Sequence, residues 1–481
     1  MKTTKRILAI VLAFVLSLSV FALSASAVVA TGGTITLNNT MTSVSIDGRT
    51  FNAYKIFDVT TDGAGHYAYT FSNASVTAYF AAKSPTITTG AGAVAYINTI
   101  GAEAFAKEMF KAIVTDATVV ITPATATGVG TQAVFSGLAA GYYLIYDAFT
   151  GTAATKSACI LTTNDQNVTI NLKWDVPTIS KTITNGADGS QKATTADGGS
   201  VINFNLTSKV PDMTGYNTYD FTIKDTMTDL ALQAGWQSNL VVKINNVVIA
   251  PSAYTVTQTG SNYFEIAFTN FMQYKALVDD AIVVTFPATF TPSTNTAVGV
   301  NDVYATYSNN PLVSGSHTDT PHDLVKVYCV AVTITKVDGQ NSNTKLSGAT
   351  FELDKFVGGT WVAKQTLTTD ATGIISFGKL GSGQYRLVET VAPSGYNLLV
   401  NPIGFTITAT FSGTDLATLT SSNPLFTVDL GGRTLSATVQ DNAGSILPGT
   451  GGIGVTVFYI AGLSITVGAA LFLIYRKKRT A

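Results

Sequence analysis

The chain has 481 residues, of which 46% are apolar and only 12% charged, so it is not a charged disordered tail, and its 42 glycines follow no collagen period. Lys and Arg number 28 against 29 Asp and Glu, but the first 27 and last 31 residues carry seven of the cations and no acid. The body between them has 21 bases against 29 acids, a net charge of −8, which offers no electrostatic footprint for nucleic acid.

Lys2, Lys5 and Arg6 precede an apolar run from Ile7 to Leu23, and Ala25-Ser26-Ala27 supplies small residues for cleavage. Residues 1–27 therefore read as a secretory signal peptide. The remainder is rich in Thr, Val, Ile, Tyr and Phe, which favours strands. At about 150 residues per domain, the length suggests three domains. The predicted bounds are 28–172, 173–327 and 328–445, three tandem Ig-like β-sandwiches in a mainly β chain.

A repeat supports this division. Phe135, Leu138, Gly141, Tyr143, Ile145 and Asp147 recur at the same spacing as Phe377, Leu380, Gly383, Tyr385, Leu387 and Glu389. Gly48 to Phe51 parallels Gly348 to Phe351, and Thr34 to Leu37 parallels Thr333 to Lys336. The first domain also carries an insertion, Ala93 to Val114, with apolar residues at helical spacing. By this alignment Leu37 stands where the third domain has Lys336. The first domain then lacks an amine beside Asp147, which is expected to be a leftover polar group or hydrogen-bond acceptor.

In the middle domain, Lys181 is in phase with Ile179, Asp225 with Phe221 and Ile223, and Asn309 with Val303, Ala305 and Tyr307. Asn310 is the competitor of Asn309. In the third domain, Lys336, Glu389 and Asp441 each end an aliphatic face, with Asn442 as the alternative to Asp441. A lysine or carboxyl group buried alone shifts its pKa until it is neutral. A neutral buried lysine is a nucleophile, and a neutral buried acid can polarise the group it faces and relay protons. Lys336 could then attack the Asp441 carboxyl with loss of water, or the Asn442 amide with loss of ammonia. A buried lysine–carboxylate ion pair without bond formation is the competing reading.

After the third domain stand Leu447-Pro448-Gly449-Thr450-Gly451, an uncharged stretch from Ile453 to Tyr475, and Arg476 to Arg479. The stretch is long enough to cross a bilayer, and the basic tail should stay cytoplasmic. Pentapeptide, span and basic tail together resemble the LPXTG cell-wall sorting signal of Gram-positive surface proteins. That resemblance implies a sortase cutting between Thr450 and Gly451 and passing the acyl group to an amine.

Tyr385-Arg386-Leu387-Val388-Glu389-Thr390-Val391-Ala392-Pro393-Ser394-Gly395-Tyr396 resembles the E-box of CnaB-type domains. With the sorting signal, the whole chain resembles a major (backbone) pilin of the SpaA type. The resemblance implies a non-enzymatic structural subunit closed by intramolecular isopeptide bonds. They would join Lys181 to Asn309 with Asp225 as catalytic acid, and Lys336 to Asp441 with Glu389 as catalytic acid. It further implies sortase-catalysed polymerisation through an acceptor lysine. No YPK motif is present. Lys173, at the predicted domain boundary, is the closest candidate, with Lys156 and Lys192 as competitors. The implied partners are pilin-specific and housekeeping sortases, identical subunits, minor tip and base pilins, peptidoglycan and host surface ligands. The implied location is the cell wall, after a transient membrane-inserted stage. A monomeric wall-anchored adhesin or minor pilin is the alternative function.

Cys159 and Cys329 fall in different predicted domains and make no disulfide framework. His317, Asp319, His322 and Asp323 read as an interdomain turn rather than a metal site. Neither a metal nor any other cofactor is expected.

Overall fold

The computed structural model describes residues 28–29, 32–41, 44–62, 66–150, 155–444 and 453–479. The expected signal peptide, residues 1–27, and the Leu447 to Gly451 pentapeptide lie outside them. Three β-sandwiches follow one another along the chain, and their apolar residues gather into separate cores.

The first domain is built on β1 (Gly33–Asn38), β2 (Thr50–Thr61), β3 (Gly141–Asp147) and β4 (Val168–Asn171). Its two sheets are joined through the strand Ala124–Val129. That strand pairs first with β2 and then with the strand Gln132–Leu138, which continues to β1. Three helices cover the outer face of the β2 and β3 sheet: α1 (Ala74–Lys83), α2 (Gly90–Ile100) and α3 (Ala102–Phe110). The insertion expected as one helix over 93–114 is therefore broken. Gly101 adopts φ +86, a left-handed conformation that ends α2 and lets α3 start at a new angle. The helix α1 had no counterpart in the sequence reading. Its signal is Asn73, whose Oδ1 accepts from Ser75 N and Val76 N.

The middle domain contains β5 (Ile179–Ile183), β6 (Val201–Lys209), β7 (Phe221–Thr228), β8 (Ala281–Phe290), β9 (Val298–Ser308) and β10 (Asp323–Tyr328). One sheet runs β5–β6–β8 and onward, and the facing sheet centres on β10–β9–β7. Both alternate buried with half-buried or exposed residues, as a sandwich requires. The third domain has β11 (Val330–Asp338), β12 (Thr350–Val357), β13 (Gly383–Val391) and β14 (Thr434–Asp441). Here β11 and β14 pair in parallel in one sheet, while β12 and β13 pair in the other. Beyond it α4 (Ile453–Arg479) is long and apolar enough to cross a membrane, and its last turn carries Arg476, Lys477, Lys478 and Arg479.

The registers reveal how deep the repeat goes. Phe51 pairs with Asp147 as Phe351 pairs with Glu389. Gly33 pairs with Leu138 and Ile35 with Phe135 across a register shift; Val330 pairs with Leu380 and Val332 with Phe377 across the same shift. Counting from these anchors puts Leu37 opposite Ile334, so Asn39 occupies the place of Lys336. The alignment on Thr-Ile-Thr was two residues out. A two-residue slip preserves the alternation of faces, so the apolar pattern could not expose it. Asn39 is buried, donating to the Val44 carbonyl and accepting from Met41 N.

Domains two and three meet around Asp197. Its Oδ1 accepts from Lys355 Nζ (2.7 Å), Gly381 N (2.8 Å) and Tyr385 OH (3.1 Å), and its Oδ2 lies 3.2 Å from Lys364 Nζ. Arg433 donates to the Thr296 carbonyl across the same junction. Asp197→Ala leaves these donors without their acceptor. It should cost about 2–4 kcal/mol, read as a lower calorimetric transition of the third domain and a broader distance distribution in solution scattering. Unchanged values in both would show that Asp197 does not hold the junction.

Candidate functional site: two buried lysine clusters

Each of the last two domains encloses a lysine with no access to solvent. In the middle domain Lys181 comes from β5 and crosses the sandwich to the facing sheet. Its Nζ lies 2.6 Å from Asp225 Oδ2, on β7, and also donates to Asn301 Oδ1, on β9. Register explains the meeting. Asp225 pairs with Val303 and Met227 with Asn301, so Asp225 and Asn301 are diagonal neighbours on one face. The Phe204 ring, 5.9 Å from Nζ, closes one side.

All three groups are dry. Burial lowers the Lys181 pKa and raises that of Asp225 to about 6. Both shifts favour the uncharged amine and the uncharged acid. Among the described residues Asp225 Oδ1 and Asn301 Nδ2 meet no well-aligned hydrogen-bond partner. The Asn301 carbonyl oxygen is thus engaged by the amine.

Asn301 replaces Asn309 as the group beside Lys181. Both share the inward parity of β9, so the apolar pattern could not separate them. However, β9 ends at Ser308, about 25 Å further along at strand rise. Asn309 sits instead at the junction with the first domain. Its Oδ1 accepts from Ser316 Oγ, and its carbonyl accepts from Lys156 N. The competitor Asn310 accepts from Leu312 N in the adjoining turn. Asp323 supports the cluster from behind, its Oδ2 accepting from Lys181 N and Lys192 Nζ.

In the third domain Lys336 Nζ lies 3.0 Å from Glu389 Oε1 and 3.2 Å from Asp441 Oδ2. Lys336 pairs with Val439 in the parallel ladder, so Asp441 is its diagonal neighbour two residues on. Glu389 approaches from the opposite sheet, its Oε2 accepting from Leu399 N. These are ion-pairing distances, yet neither contact has hydrogen-bond alignment, and among the described residues Nζ, Oε1 and Oδ2 all lack such a partner. Burial raises the Asp441 pKa, and the Phe351 ring lies 5.3 Å from Nζ. Asn442 is exposed, its carbonyl accepting from Asn397 N. Of the two acceptors left open by the sequence, only Asp441 faces the lysine.

The first domain keeps the acid and changes the cation. Asp147 is buried against Arg49 Nη1 at 3.0 Å. Arg49 stands at the position of Ala349 in the repeat, so the cation arrives from the start of β2 rather than from the first strand. A guanidinium stays protonated and cannot act as the amine nucleophile. This partner was missed because the aligned position in the third domain is an alanine. The histidines disperse: His317 meets Asp220, and His322 meets Asp302.

The geometry can be set beside known proteins. Residues 330–419 match the family model described as SpaA, prealbumin-like fold domain. The third domain is thus similar to that family over most of its length. Its matched span includes Lys336 and Glu389 but stops short of Asp441. The chain is 25% identical over 253 residues to the trypsin-resistant surface T6 protein of Streptococcus pyogenes serotype M6. That alignment takes in 47% of this chain and spans only 45% of the relative's length. The solved T6 backbone pilin of serotype M6 S. pyogenes superposes with a TM-score of 0.57 at 16% identity, covering 86% of this chain and 99% of the pilin. This shows a shared fold that extends well beyond the SpaA domain. The full-length major pilin SpaD of Corynebacterium diphtheriae aligns over 86% of this chain and 98% of its own length, with a TM-score of 0.49 and 17% identity.

Two variants test the middle cluster. If Lys181 and Asn301 become joined, Asn301→Ala should abolish the ammonia deficit from the sequence mass and remove roughly 5 kcal/mol of loop-closure stabilisation, whereas Asn309→Ala should leave that deficit in place. The opposite pattern in intact-mass spectra would return the acceptor role to Asn309. In Lys181→Met the buried Asp225 loses the cation that holds its pKa down. The folded state then keeps a proton that the unfolded chain releases near pH 4. Stability is therefore greatest below that pH and declines as pH rises through 6, by about 3 kcal/mol or more. The melting temperature of the middle domain should fall between pH 4 and 7 in Lys181→Met and stay level in the Lys181→Met, Asp225→Asn double variant.

Proposed function

We propose that this chain is the backbone subunit of a sortase-assembled surface pilus and that its last two domains close themselves with isopeptide bonds. The observation that carries this reading is the pair of buried clusters, each with a lysine, an acid and a carbonyl acceptor in reach. In the middle domain the neutral Lys181 Nζ attacks Asn301 Cγ while Asp225, protonated, polarises the amide oxygen. The Nζ–Cγ bond forms and the Cγ–Nδ2 bond breaks. The departing nitrogen takes a proton by way of Asp225, and ammonia leaves. In the third domain Lys336 Nζ attacks Asp441 Cγ beside Glu389, and water leaves. Each reaction exchanges a costly group of buried polar atoms for one neutral amide. An amide also withstands reductants, which suits a fibre outside the cell.

Assembly uses the two ends of the chain. The signal peptide directs export, and α4 with its basic tail retains the precursor at the membrane. A sortase cysteine attacks the Thr450 carbonyl, the Thr450–Gly451 bond breaks, and a thioester holds the chain. Lys173 of another subunit then attacks that thioester; the C–N bond forms, the C–S bond breaks and the thiolate leaves. Lys173 follows β4, and its side chain is exposed. The final acceptor is a peptidoglycan amine, which fixes the fibre to the wall.

Intact-mass measurement of the secreted chain should find it lighter by one ammonia and one water. Branched tryptic peptides should contain Lys181 with Asn301 and Lys336 with Asp441. In cells the high-mass ladder should vanish in Lys173→Arg and persist in Lys156→Arg. A full unmodified mass would leave only buried ion pairs. A wild-type strain without a ladder would indicate a monomeric wall-anchored adhesin.

A further inference from the structure

Beside Lys173 the first domain builds a knot that the isopeptide chemistry does not use. Arg49 is buried, and its Nη1 donates to Asp147 Oδ2 at 3.0 Å and to the Thr155 carbonyl at 2.9 Å. Its guanidinium also lies over two rings, 4.9 Å from the centroid of Phe149 and 5.2 Å from that of Trp174. Trp174 is the immediate neighbour of Lys173. Thr155 opens the segment that braces Lys173 from the other side: Ser157 Oγ accepts from Lys173 N (3.0 Å), and Ala158 N donates to the Lys173 carbonyl (2.8 Å). Both backbone polar groups of Lys173 are thus held, and Leu172 before it is buried in the first core.

The side chain is treated differently from the backbone. Lys173 is exposed, and its ammonium makes no hydrogen bond or ion pair among the described residues. Lys192 is tied down, 2.5 Å from Asp323 Oδ2 and 2.7 Å from the Lys181 carbonyl. Lys156 is half-buried in the strip between the two domains. A lysine stem is flexible, so where its amine can reach is set by where its backbone is fixed. Arginine suits the fixing role because its planar cation can donate along its edge while its faces stack on rings.

We propose that Arg49, anchored by Asp147, is a positioning residue for intermolecular joining: it locks Trp174 and Thr155 so that Lys173 is offered on a rigid backbone, and it thereby selects the lysine that is joined. This rests on Lys173 being the acceptor, as read above.

The test uses the purified secreted chain as amine acceptor, its cognate pilin sortase, and a synthetic peptide containing Leu-Pro-Gly-Thr-Gly as acyl donor, with the branch point mapped by peptide sequencing. Wild type should branch at Lys173 alone. A wild-type branch elsewhere ends the Lys173 reading and this inference with it. Trp174→Leu leaves the Arg49–Asp147 pair in place; it should slow joining about tenfold and scatter the branch to Lys156 and other lysines. Trp174→Phe keeps a ring face and should restore the single branch point. Arg49→Met should scatter it as Trp174→Leu does, with the ammonia and water deficits of the other two domains intact. Should Arg49→Met fail to fold, the two Trp174 variants still decide. Wild type branching at Lys173, with Trp174→Leu joining there at the wild-type rate, would overturn the inference.

Discussion

A lysine amine deprived of water is the constraint on which the rest depends. Taking an ammonium into a dry sandwich costs several kcal/mol even after relaxation. Lys181 and Lys336 are both fully buried. The fold meets that cost by surrounding each amine with an acid and a carbonyl, and in the middle domain by letting burial move the pair toward neutrality. In the middle domain this is direct, for the amine is pushed down and Asp225 is pushed up. The same features that make the cluster expensive as an ion pair are what the proposed reaction would draw on.

The first domain is the same design without a nucleophile. Its registers coincide with those of the third domain at Phe51 and Phe351, and the acid is retained. The lysine position holds Asn39, and a guanidinium reaches the acid from another strand. An ion pair satisfies Asp147 while leaving the domain held by packing and hydrogen bonds alone. Its cation is free to make contacts that an amide could not make, with Trp174, Phe149 and the Thr155 carbonyl.

Much of this was legible from residue order because strands alternate faces. Lys336, Glu389 and Asp441 were each found by phase with their aliphatic neighbours, and the structure places all three together. Phase is also where the reading fails. Asn301 and Asn309 have the same parity, as do Leu37 and Asn39, and only strand pairing separates them. The E-box fixed Glu389 by a long local motif, whereas Arg49 carried no motif and met its acid 98 residues away. The position of a strand's end, which removes Asn309 from the cluster, is a tertiary outcome.

The seat of Asn301 has a mechanical corollary. It lies on β9, well before the middle domain ends, so once the proposed bond forms, tension crossing from Lys181 would re-enter the main chain there. The next proposed bond begins at Lys336. Between them, the 34 residues from 302 to 335 are restrained only by ladders and side chains. Drawn straight at roughly 3.4 Å each, they amount to about 115 Å of contour. A fibre of such subunits would be inextensible within its fused blocks yet carry a fixed reserve of length between them, released by peeling β10 from β9 and recovered when the strain subsides.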